Sequence, residues 1–90
     1  MFAHLFFEAQ HGGGVLFLLD VALKDSEAIR TFVNITNQYP FPISLRQGHY
    51  CIDAKSLMGI FSLDLAKPIT VEAYGTQASV LNDDLRKFAV

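Results

Sequence analysis

Sulfur chemistry is almost absent from this chain. Cys51 is its single cysteine, so no internal disulfide can form, and a lone thiol in a strand-like run fits a reducing compartment and a small buried hydrophobe. Charge is sparse as well: 18% of the residues are charged, the net charge is -2, and Lys and Arg are scattered rather than clustered. That leaves no footprint for a phosphate backbone and excludes a nucleic-acid partner. Long apolar runs are missing too. Residues 1–7 and 15–23 are rich in Phe and Leu, but Glu8, Gln10, His11 and three glycines separate them. Neither approaches the ~18 residues that a spanning helix needs. No basic segment precedes a small-residue cleavage site. The expectation is a cytoplasmic protein without a membrane partner.

Constellations that carry chemistry are equally thin. His4, His11, His49 and Cys51 show no metal-ligand spacing. His11-Gly12-Gly13-Gly14 superficially resembles the oxyanion loop of esterases, but the Gly-x-Ser-x-Gly nucleophile turn that accompanies it is missing. No metal, no cofactor and no enzymatic activity are expected.

What the chain does have is apolar mass. Its 90 residues are 51% hydrophobic and include eight Phe, enough for one dense core in a domain of this size. Residues 1–14 read as an apolar extension ending in a glycine hinge or hairpin, and residues 15–90 as the domain proper. Residues 15–23 read as a strand. Asp25 or Ser26 offers an N-cap, and Ala28, Ile29, Phe32, Val33, Ile35 and Thr36 then recur at helical spacing up to Tyr39, where Pro40 ends the helix. Residues 42–47 alternate, and Gly48 turns the chain into a second strand at residues 50–52. Residues 55–63 carry more apolar positions than one buried stripe can hold, so this short helix should show apolar surface. Residues 69–75 alternate again, and Ala78, Leu81, Leu85 and Phe88 trace a last helical face. Periodicity alone gives a small α+β domain with helices packed on a sheet.

Residues 53–63 read Asp53-Ala54-Lys55-Ser56-Leu57-Met58-Gly59-Ile60-Phe61-Ser62-Leu63. This resembles the second-helix signature of HPr, the phosphocarrier family of the bacterial sugar phosphotransferase system, in which Lys-Ser-Ile/Leu-Met-Gly precedes a similar run. The likeness can be followed without a gap from about residue 29 to residue 88. It implies an open-faced β-sandwich, a four-stranded, mostly antiparallel sheet covered on one face by three helices, with room for an extra N-terminal strand. The same register puts Asp25 at the position of the family's phosphorylated histidine and Glu27 at that of its arginine. Histidine phosphotransfer needs an imidazole nucleophile and a cation, and two carboxylates would repel the phosphoryl group. That chemistry is expected to be absent, with Asp25, Ser26 and Glu27 serving instead as a helix cap and an acidic first turn.

Ser56 matches the serine that HPr kinase phosphorylates in Gram-positive relatives, whose product binds a catabolite-control repressor. Crh-type relatives keep this serine without the histidine. The bland alternative, an ordinary N-cap serine, stands beside that reading. Leu57, Met58 and Phe61, with Lys55, match the surface through which the family meets its partners. The resemblance thus implies a regulatory or adaptor protein of the phosphotransferase system or of catabolite control, partnered by HPr kinase, a catabolite-control regulator or phosphotransferase components. Two other readings stay open. One is a phosphocarrier using His11 or Asp25; the other is a homodimeric module in which residues 2–8 pair with another chain.

Overall fold

A computed structural model describes residues 4–8 and 15–90. In chain order these form β1 (His4–Glu8), β2 (Val15–Val21), α1 (Ser26–Thr36), β3 (Ile43–Gln47), β4 (Tyr50–Asp53), α2 (Leu57–Phe61), β5 (Ile69–Gly75), α3 (Ala78–Leu85) and a closing 3-10 turn, Arg86–Phe88. The glycine segment expected to act as a hinge lies outside the described residues.

Alternation dictates the sheet. Phe17, Leu19 and Val21 of β2, Ile43 and Leu45 of β3, and Ile69, Val71 and Ala73 of β5 are buried, each two residues from the next, so they share one face. Their neighbours Ser44, Arg46, Thr70 and Glu72 occupy the other. The strand order is β1-β2-β5-β3-β4, and every pair is antiparallel. β2, β5, β3 and β4 make the expected four-stranded sheet. β1 adds a fifth strand along β2 of its own chain, with His4 opposite Leu19 and Glu8 opposite Val15. Beyond that point the same edge is taken by the chain's last residues: Ala22 N–H donates to Phe88 O (2.8 Å) and Val90 N–H to Asp20 O (3.1 Å).

The helices cover the buried face. Ile29 and Phe32 of α1, Ile60 of α2, and Leu81 and Leu85 of α3 are fully buried. The rings of Phe32 and Phe88 meet edge to face, with centroids 5.5 Å apart, a favourable aromatic geometry. Asp25 starts α1 by accepting the Ala28 N–H at 2.8 Å. The helix ends at Thr36, three residues earlier than its apolar spacing suggests, because the residue before Pro40 disfavours helical backbone. Gln38 and Tyr39 therefore tighten into i→i+3 bonds to Ile35 and Thr36. Gly48 opens the β3–β4 turn at φ +58°, a conformation that costs glycine little.

One sequence expectation is overturned. Cys51 is exposed, not buried. It pairs with Arg46 across β3–β4 and so takes the polar phase of the alternation, on the face no helix covers. A three-residue apolar run in an edge strand does not say which phase points inward.

Candidate functional site

The signature segment is built from its backbone outward. Asp53 takes the Lys55 N–H on its carboxylate (2.9 Å), which bends the chain out of β4. Ser56 then caps α2, its Oγ accepting the Gly59 N–H at 3.1 Å. Gly59 allows this short helix to sit close: a Cβ there would lie 3.2 Å from Ser56 Oγ and 3.4 Å from Ile52 Cδ1. Ile60 and Leu63 go into the core. The rest of the apolar set cannot follow them on so short a helix. Met58 is 82% exposed, Phe61 48% and Leu57 36%, so a hydroxyl stands at the rim of an apolar patch.

Lys55 is placed differently from its neighbours. Its ammonium donates to Tyr39 O (2.6 Å) and Phe41 O (2.8 Å), tying the α1–β3 connection to the start of α2. The amide of Asn37 reaches Lys55 O (3.3 Å). Buried Thr36 donates to Val33 O and Ala54 O, both at 3.1 Å. Tyr39 is itself buried and gives its hydroxyl to Asp84 of α3. Burial first, and the Asp84 carboxylate second, push the Tyr39 phenol well above its ordinary value of 10.0. The platform under α2 is thus a polar network in which Lys55, Asn37 and Thr36 bind backbone oxygens and Tyr39 binds a carboxylate. Sequence reading did not find it, because a lysine that will reach carbonyls fourteen and sixteen positions away carries no local signal.

Asp25 and Glu27 are exposed at the start of α1, and the Asp25 carboxylate is engaged as the cap. The first turn of α1 adds a second acid, Glu27, beside that cap. His49 is exposed in the β3–β4 turn, and His11 lies outside the described residues. Among the described residues no group of His, Cys, Asp and Glu is arranged to hold a metal ion, and no helix is long and apolar enough to cross a membrane.

An open-faced antiparallel sheet with three helices on one side and a serine-capped short helix showing Met and Phe to solvent is the architecture of the small phosphocarrier domains. A family model described as "PTS HPr component phosphorylation site" matches residues 26–89, and the chain belongs to the HPr family. It is therefore a phosphocarrier-like protein of the phosphotransferase system, a family of carriers rather than catalysts that works by meeting other proteins of that system. The match begins one residue after Asp25. Comparison with curated proteins and with solved structures returns no match.

Proposed function

We propose that this protein is a regulatory or adaptor member of its family, cytoplasmic like its relatives, which does not carry phosphate on histidine and docks partners through Leu57, Met58 and Phe61. The observation that carries the reading is the placement of Ser56 Oγ at the N-cap of α2 beside that exposed apolar set. Met and Phe on a small domain suit an adaptable docking surface. A phosphate on Ser56 would add about two negative charges at its rim, changing which partners the surface accepts while the core stays untouched. Lys55 contributes by holding the platform rather than by reaching outward, since its ammonium is already bound to two carbonyls.

Two incubations test this. With enzyme I and labelled phosphoenolpyruvate the protein should form no acid-labile phosphohistidine; stoichiometric labelling of any histidine would make it a carrier after all. With HPr kinase and ATP, label should appear on Ser56 and vanish in Ser56→Ala. Label that persists in that variant would refute the switch.

A further inference from the structure

β2 departs from the alternation that governs β3 and β5. In those two strands one phase is apolar and the other carries Ser44, Arg46, Thr70 and Glu72. Residues 15–19 of β2 read Val-Leu-Phe-Leu-Leu and residues 5–7 of β1 read Leu-Phe-Phe, apolar in both phases. A strand written this way suits a sheet buried on both sides, and the helices cover only one. Phe17 and Leu19 are buried beneath them. Leu16 and Leu18 take the opposite phase and are only half-buried.

The register carries that phase sideways. Leu16 stands opposite Phe7 of β1 and Tyr74 of β5, and Leu18 opposite Leu5 and Glu72. Tyr74 is 49% exposed. One corner of the helix-free face is therefore apolar across three neighbouring strands. The charged groups occupy the rest of that face: Asp20 at the end of β2, Glu72 on β5, Arg46 on β3 and Asp53 on β4. Each is engaged within the chain. Asp20 accepts the Thr70 hydroxyl at 2.7 Å, Arg46 pairs with Glu72, and Asp53 takes the Lys55 N–H at 2.9 Å. His4 and Glu8 of β1 stand opposite Leu19 and Val15, on the other phase.

We infer that this apolar corner is where a second copy of the chain packs, sheet against sheet, on a surface separate from α2. The charges select the occupant. A charged peptide finds no unengaged counter-charge there. A lipid surface is held by Lys and Arg around an apolar face, whereas the five strands carry Arg46 as their single Lys or Arg, bound to Glu72. A second copy presents a corner of the same size and polarity. A two-fold axis laid across it brings the Leu16 and Leu18 rows of the two copies together and carries their acidic remainders to opposite ends, keeping like charges apart. Area sets the strength. Three strands about 4.8 Å apart and five to seven residues long make a face of roughly 15 by 20 Å. That is smaller than the ~800 Å² per partner of a standard interface, so the dimer is reversible, with a Kd of about 10–100 µM.

The test is sedimentation of the whole chain at concentrations spanning that range, with 15N amide shifts read on the same samples. The mass should rise from monomer towards dimer. The amides of Leu16, Leu18 and Tyr74 should move with it while those of α2 and α3 stay in place. Leu16→Thr combined with Leu18→Thr keeps strand-favouring residues and should weaken association at least about tenfold, since each dimer loses the apolar surface of both leucines twice. Met58→Thr removes an exposed apolar side chain from α2 and should leave association alone. A chain that is monomeric throughout overturns the proposal, as does a dimer unchanged by the double variant or lost equally with Met58→Thr. Should the double variant unfold, the amide shifts of the parent decide alone, and shifts centred on α2 or on β4 refute the assignment. Monomers that sediment with phosphatidylcholine vesicles would give the corner to lipid and refute it as well.

Discussion

A single hydroxyl at residue 56 serves two ends that can be measured apart. As the N-cap it satisfies the Gly59 N–H, and replacing a capping serine by alanine costs about 1 kcal/mol. Ser56→Ala should therefore unfold at lower denaturant with an unchanged slope, whether or not a kinase ever acts. A variant as stable as the parent would show that the cap contributes nothing. Ser56→Asp keeps an oxygen acceptor at the same place and should recover the lost stability, since Asp caps as well as Ser. Gly75 shows how little room single positions have: a Cβ there would come within 3.0 Å of the Phe41 ring, so the end of β5 and the α1–β3 connection have been fitted to each other at van der Waals contact.

At the scale of elements, the connection between α1 and β3 is the joint of the molecule. Lys55 holds it from the α2 side and the Tyr39 hydroxyl holds it to α3 through Asp84. The raised Tyr39 pKa makes this joint sensitive to high pH, and the sign follows from proton counting. In the unfolded chain Tyr39 loses its proton near pH 10.0, whereas in the fold burial and Asp84 keep it bound. The folded state then holds more protons, so the contribution of Tyr39 is fully present below pH 10 and is lost as pH rises towards the folded value. The slope is at most about 1.4 kcal/mol per pH unit. Denaturant melts between pH 9 and 11 should show this decline in the parent and a shallower one in Tyr39→Phe; identical profiles would show that the hydroxyl does not couple α3 to the loop.

For the whole molecule the open question is the edge of the sheet. Unpaired strand edges template association, and here β1 covers the part of β2 from Val15 to Leu19 while residues 88–90 cover the rest. Removing residues 1–10 should bare that edge and change the oligomeric state or solubility, as read by light scattering. A truncated protein with the same solution mass and the same melting temperature would show that β1 is dispensable. The pairing of β1 with its own chain gives His4–Glu8 a place in the sheet that requires no second molecule.

Much of this architecture could be read from the chain, because period and punctuation are local. The alternation of residues 43–47 and 69–75, the cap at Asp25, the break at Pro40 and the serine-led helix at Ser56 each depend on neighbours within a turn or a strand. They sufficed for the α+β class, and the residues around Ser56 sufficed for the family. What folding alone decided depends on groups far apart in sequence. Cys51 is exposed because β3 sets the phase of its strand. Lys55 is spent on carbonyls because α1 ends where it does. Tyr39 and Asp84 meet only when α3 packs beside the α1–β3 connection. Backbone preference and side-chain alternation act over a few residues and leave a pattern in the sequence. Hydrogen bonds formed across fourteen to forty-five residues leave none until the core brings their partners together.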